Sequence, residues 1–194
     1  MKILAVDTTG ASASVAVQDT EKGKNSRIFC ETSGEEMNHL QALFPMIEKA
    51  LGDAGISKKE LELIAVSTGP GSFTGIRIGM AAARTMAQAL GLPMAAVPTL
   101  ESFVYAERTP APEDGEALEQ SAHKEALSGD PIIVCPMLDA RRKQVYAAAY
   151  IIENAARGAD GGYREIVSAG AYDVSGFLAL AVKAAEKEHA ALIR

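Results

Sequence analysis

The sequence predicts an α/β protein of two lobes, and three observations carry this. Short apolar runs that read as strands precede longer stretches with helical spacing. The stretch 107–130 is rich in Ala, Glu and Pro, shows little apolar periodicity and divides the chain. Beyond it, a similar series of strands and a helix begins again. A length of 194 residues suffices for one good core or two small lobes, and 48% hydrophobic with 23% charged residues is an ordinary globular composition.

Three strands open the chain: Ile3 to Asp7, Ser14 to Gln18 after a turn of small residues, and Arg27 to Thr32 after the polar turn DTEKGKNS. A helix over about Glu36 to Leu51 follows from Leu40, Leu43, Phe44, Ile47 and Leu51, and Pro45 inside it predicts a kink or a weak turn. Ser57 and Glu60 form a capping-box pair. Leu63 to Ser67 is a buried strand leading through TGPGSFTG into a helix from about Gly75 to Leu90, closed by Gly91 and Pro93. Met94 to Val97 is a further strand, and Thr99 caps a helix to about Ala106. The order βββαβαβα is that of a ribonuclease-H-like lobe, antiparallel at first and then joined by helical crossovers. In the second lobe, Pro131 to Leu138, Gln144 to Ile152 and Tyr163 to Ala169 read as strands, and Asp173 caps a helix to about Glu188. No later crossover is read there. The expected organisation is a first lobe over 1–106, an acidic insertion or linker over 107–130, and a partial second lobe over 131–194.

Charge narrows the function classes. The net charge is -6, and the segment from Glu107 to Asp130 holds seven acidic and two basic residues, or -5, which leaves about -1 for the rest. The chain is read as carrying no Lys/Arg run or aromatic–basic interleaving, so a direct strong grip on nucleic acid is not expected. Asp7 interrupts the first apolar run too early for a signal-peptide core, and no stretch approaches a membrane span, so a cytoplasmic location is expected. Cys30 and Cys135 lack paired spacing and read as two buried free thiols.

Two motifs bear on chemistry. Gly69-Pro-Gly-Ser-Phe-Thr-Gly75 lies between a strand and a helix, where glycines permit close backbone approach and the helix start offers N–H groups to an anion. It lacks the Lys of a Walker loop and the dinucleotide glycine spacing, and an unliganded structural loop is the competing reading. Asp7-Thr8-Thr9 closes the first strand, where an Asp either orients metal-bound phosphate or simply forms a turn. The candidate anion- or nucleotide-binding set is therefore Asp7, Thr8, Thr9, Gly71, Ser72 and Thr74.

MKILAVDTT, His39 within MNHLQALFPMIEKAL, STGPGSFTGIRIGMAAARTMAQALGLPMAAVPTLESF and LDARRKQVYAAAY are colinear, and together the chain resembles the TsaB (YeaZ) family. The resemblance covers about residues 1–106 and 131–152. It implies an actin-like, sugar-kinase-like fold and an accessory role in tRNA threonylcarbamoyladenosine biosynthesis, beside the similar catalytic TsaD subunit and a small ATPase of the TsaE type. It implies homodimerisation when the chain is alone, contact with tRNA only through partners, no cofactor required by this chain, and room for ADP or ATP in the complex with partners. It also implies a longer second lobe than this chain supplies.

The catalytic relatives carry an H-x-x-x-H metal motif, and Thr99 and Phe103 stand where those histidines would be. His39, His123 and His189 have no i, i+4 partner, so no metal site and no catalytic residue is expected. The turn Asp139-Ala-Arg-Arg142 lacks the glycine of a second phosphate hairpin. The competing function is an autonomous ATP-dependent phosphotransferase or peptidase of the same superfamily, drawn from Asp7 and the glycine loop.

The helices at about 36–51 and 75–90 carry apolar or small residues over an arc of roughly 200°, where packing on one sheet needs about 100°. Either these helices cover one another or the surplus docks a subunit. The resemblance favours the second, with His39, Ala42, Met46, Ile76, Gly79, Ala82, Ala83 and Met86 as the expected interface.

Overall fold

A computed structural model describes residues 1–21, 26–34, 39–108, 131–152, 162–188 and 191–193. Of the insertion predicted over 107–130, residues 109–130 lie outside the described residues, as do the predicted helix start at Glu36, His123 and His189, while Glu107 and Arg108 end a helix. The chain divides into two compact units, Met1–Thr99 and Leu100–Arg194.

The first unit is a five-stranded sheet in the order β3-β2-β1-β4-β5, from β1 (Lys2–Asp7), β2 (Ser14–Asp19), β3 (Ile28–Thr32), β4 (Leu63–Ser67) and β5 (Met94–Val97). β1 is antiparallel to β2, with Ala5 opposite Ala16, and parallel to β4, with Ala5 opposite Ala65. The predicted ribonuclease-H-like order is therefore present. β1 reads as a continuous apolar run because both of its faces are at least partly covered: Leu4 and Val6 enter the core, and Ile3 and Ala5 on the other face are half-buried.

Helices α1 (His39–Ala54) and α2 (Phe73–Leu90) close over that core face. Leu43, Ile47, Ala50 and Leu51 of α1 meet Leu4, Val15 and Val17, and Ala83 and Ala87 of α2 cover Ile64 and Val66. α1 runs through Pro45 without ending. Pro45 and Gln41 both lie on its exposed side, so the Gln41 carbonyl that loses its donor faces water. Ser72 caps α2 by accepting from Gly75 N at 3.2 Å, and Gly91, at φ 68°, ends it in the left-handed conformation. The Ser57–Glu60 box forms, with Ser57 N donating to Glu60 Oε2 at 2.9 Å.

The second unit begins one helix earlier than predicted. α3 (Thr99–Arg108) buries Leu100 and Val104 against Ile132, Val134, Ala148, Tyr150 and Ile152, so the boundary expected after residue 106 moves back to Thr99. The sheet contains β6 (Ile132–Val134), β7 (Met137–Arg141), β8 (Gln144–Ile152), β9 (Tyr163–Asp173) and β10 (Ala191–Ile193). The single strand predicted from Pro131 to Leu138 is broken at Cys135-Pro136, where proline has no N–H for a ladder. β6 and β7 pair successive halves of β8 antiparallel, and β9 pairs β8 along its length.

α4 (Val174–Glu188) then crosses to β10, which lies parallel to β6. One crossover is thus present where none was predicted, because three residues are too short a run to read as a strand. The arrangement repeats the pairing of the first unit's opening four strands, with β10 placed on β6 as β4 is on β1. Phe177, Ala181 and Ala185 of α4 pack on Ile133, Ala147, Ala149 and Ile151, so β8 is buried on both faces. Cys135 is buried, but Cys30 is exposed because alternation on β3 turns it away from the core face, which corrects the expectation of two buried thiols. Among the described residues, no helix is long and apolar enough to cross a membrane.

Candidate functional site

The two sequence motifs meet at one corner of the first unit, where β1 gives way to β2 and the glycine loop starts α2. Their polar groups satisfy one another. Asp7 Oδ1 accepts from Thr9 N at 2.8 Å and from Thr9 Oγ1 at 2.7 Å. Thr8 Oγ1 donates to Gly75 O at 2.7 Å, and Ser72 N donates to Thr9 O at 2.7 Å. Gly69 N donates to Thr99 Oγ1 at 3.1 Å, while Thr99 N donates back to Gly69 O at 2.8 Å.

The glycines are explained by close approach. A Cβ on Gly75 would run into the Thr8 carbonyl oxygen, one on Gly79 into Thr8 Oγ1, and one on Gly71 into the Thr9 carbonyl oxygen. Gly69 also requires its left-handed φ of 99°. The structure therefore brings together Asp7, Thr8, Thr9, Gly71, Ser72 and Thr74, as expected of one site, but it corrects two of them. The hydroxyls of Thr8 and Thr9 are buried and bonded within the protein, so they hold the loop to the hairpin instead of facing a ligand. Asp7 is half-buried, and Ser72 and Thr74 are exposed.

The interface set needs a larger correction. Ala42 (1% exposed), Ala83 (0%), Met46, Gly79 and Ala82 are buried in this unit's own core. A helix lying on a twisted sheet beside a second helix buries a wider arc than the sheet alone demands, so the surplus on the helical wheel is consumed internally. Ile76 and Met86 are half-buried, Met86 against both core clusters. His39 opens α1, and its side chain lies outside the described residues.

What the two helices leave outward is different. Phe44 on α1 is 46% exposed and Phe73 at the start of α2 is 73% exposed. The Arg77 guanidinium lies 5.4 Å from the Phe73 ring centroid, a cation–π geometry. Between the helices is a groove of about 490 Å³, lined by Leu43 and Phe44 of α1 and by Arg77, Ile78, Ala81 and Thr85 of α2, among others. Phe73 could have been noticed in the sequence, since an aromatic at a helix start next to a polar cap has no reason to be core.

Thr99 and Phe103, which the resemblance sets at the metal positions of the catalytic relatives, lie in different surroundings. Thr99 is buried and engaged with the glycine loop, and Phe103 is 42% exposed. Among the described residues, no three His, Cys, Asp or Glu side chains gather as a metal-ligand set. In the second unit, the β7–β8 turn consists of Arg142 and Lys143, flanked by the cross-strand pair Arg141 and Gln144. Arg141, Arg142 and Lys143 are three consecutive cations, which corrects the reading of the sequence as free of basic runs.

The family model for TsaD, tRNA N6-adenosine threonylcarbamoyltransferase, matches residues 35–162. The tRNA threonylcarbamoyladenosine biosynthesis protein TsaB of Bacillus subtilis is 31% identical over 156 residues, which is 79% of this chain and 57% of that protein. The protein of the same name from Escherichia coli is 36% identical over 100 residues, covering 52% of this chain and 41% of its own. The chain thus matches only about half the length of these relatives, 57% of one and 41% of the other. Among solved structures, YeaZ from Pseudomonas aeruginosa superposes with a TM-score of 0.64 at 26% identity, over 89% of this chain and 66% of that one. A second structure, described as having similarity to peptidase YEAZ from Pseudomonas aeruginosa, matches equally well, with a TM-score of 0.64 at 26% identity, over 88% of this chain and 66% of that one. With the colinear motifs, the repeated strand order and the first-unit topology in place, the chain belongs to the TsaB/YeaZ family, related to the TsaD threonylcarbamoyltransferases.

Proposed function

We propose that this chain is a non-catalytic accessory subunit of tRNA threonylcarbamoyladenosine biosynthesis, which docks a TsaD-type catalytic protein through the α1/α2 groove of its first unit. The observation that carries this is the outward apolar face of that helix pair. Phe44, Arg77 and Ile78 line a groove that the unit's own core does not fill, and Phe73, exposed at the start of α2, lies under the Arg77 guanidinium. Exposed aromatics beside an arginine are the composition of an interface centre. The same face serves a second copy of the chain when no catalytic partner is present. A TsaE-type ATPase joins the assembly, ADP or ATP binds only within it, and the partners hold most of the tRNA. Such work belongs in the cytoplasm.

The competing reading is an autonomous phosphotransferase or peptidase, and the word peptidase is attached to a structural relative. Against it stand the engagement of Asp7 by Thr9 and the presence of Thr99 and Phe103 at the metal-motif positions. Turnover by the isolated chain that Asp7→Ala abolishes would establish that reading.

Co-elution on a sizing column with a purified TsaD-type protein tests the proposal. Phe44→Asp and Phe73→Asp should each abolish co-elution while leaving the thermal melt unchanged, and Leu180→Asp on α4, also exposed, should leave co-elution intact. Co-elution that survives both Phe substitutions would refute the groove as the docking surface.

A further inference from the structure

Arg141, Arg142 and Lys143, at the β7–β8 tip, all have positive φ, at 66°, 52° and 63°, and none is glycine. Arg141 pairs with Gln144 across the strands, so Arg142 and Lys143 form a two-residue turn. A two-residue turn with φ > 0 at both central positions favours Asn-Gly or Gly-Gly, because a Cβ is strained there. Nothing in the hairpin's own stability selects arginine and lysine. The tip is nonetheless well formed, with Asp139 Oδ1 accepting from Arg141 N at 2.7 Å.

All three side chains are exposed. Among the described residues their ion pairing is limited to a long Arg141–Asp139 contact of 3.9 Å, in which both groups are largely exposed. Such a pair neutralises little. The tip carries +3 in a chain of net -6, so the remaining residues sum to -9. It is an isolated cationic point on an otherwise repelling molecule, suited to a few phosphates and not to a long tract.

We propose that this tip contacts the phosphate backbone of RNA. Side chains without glycine hinder the backbone wrapping that a free polyphosphate needs, whereas phosphodiester oxygens need only the reach of Arg and Lys. The choice of RNA over an acidic protein surface rests on the tRNA-pathway reading, but the presentation of the cations does not.

The test is the anisotropy of labelled unmodified tRNA, titrated with the full chain alone and with the TsaD-type protein present. It is repeated with Arg142→Asn/Lys143→Gly, a turn suited to this backbone. The variant should bind tRNA roughly tenfold more weakly at 0.1 M salt. The slope of log K against log salt should become shallower by about 1.8, from about 0.9 for each lost phosphate contact. Co-elution with the catalytic relative should be unchanged, so loss of pairing and loss of RNA contact read out separately. Equal affinity and slope for the two proteins would overturn the proposal. So would absence of tRNA binding by the unaltered chain in both settings, or a variant that loses inorganic triphosphate binding while keeping tRNA.

Discussion

Gly79→Ala offers a perturbation whose sign depends on one oxygen atom. In an ordinary helix interior this substitution gains about 1 kcal/mol. In α2 the added methyl would land on Thr8 Oγ1, which is buried and held by its bond to Gly75 O. Overpacking of this kind costs about 1–3 kcal/mol, so the net expectation runs from near zero to a loss of about 2 kcal/mol. Thr8→Ala removes the obstructing atom, and the next nearest, Thr8 Cβ, is at an ordinary 3.5 Å. In that background Gly79→Ala should recover its gain of about 1 kcal/mol. The coupling across the cycle is then about 1–3 kcal/mol, the overpacking cost itself. Gly75→Ala supplies the contrast, because its methyl would meet the Thr8 carbonyl oxygen, which no substitution at Thr8 removes. It should destabilise in both backgrounds. Urea unfolding followed by far-UV circular dichroism on the full set measures these differences. A stabilising Gly79→Ala in the unaltered chain, or an equal loss in both backgrounds, would refute the reasoning that the glycine helix start is shaped by the hairpin beneath it.

Two further outcomes concern the second unit. Tyr150 is buried and its hydroxyl is pushed up to about 12, by burial first and then by the carboxylates of Glu165 and Glu101. The folded state therefore favours the neutral phenol. Its contribution is complete below pH of about 10, where the unfolded phenol ionises, and is lost as pH rises through about 12. Alkaline unfolding of Tyr150→Phe should show a shallower pH dependence across that window, and an unchanged slope would contradict the assignment. Leu100→Ala should destabilise by about 2–4 kcal/mol. Hydrogen exchange should then quicken in β8, which α3 covers, and not in β1. Faster exchange in β1 alone would return α3 to the first unit.

The strand order of the first unit was legible because each strand is a short apolar run between turn residues, and because Gly91 and Ser72 mark the ends of a long helix. The assignment of α3 was not legible, since Leu100 and Val104 look the same whichever sheet they cover. β10 was missed for its brevity. At the candidate site, the glycines were visible but their purpose was not. A sequence shows that Gly75 and Gly79 lack side chains, whereas only the fold shows that Thr8 fills the space. The small-residue stripe misled for a related reason. Ala42, Ala82 and Ala83 admit neighbours closely, and those neighbours belong to the same unit. Phe44 and Phe73 then emerge as the outward groups. The three cations at Arg141–Lys143 stand in the sequence but are too short a run to draw notice, and their positive φ angles belong to the folded backbone.

The docking claim is met most directly by hydroxyl-radical footprinting of the chain before and after addition of a TsaD-type protein. Oxidation of Phe44 and Phe73 should fall several-fold on complex formation, while that of Leu180 and Val182 on α4, exposed to a similar degree as Phe44, stays constant. Undiminished oxidation of both phenylalanines in a complex that co-elutes would place the partner elsewhere and contradict the account.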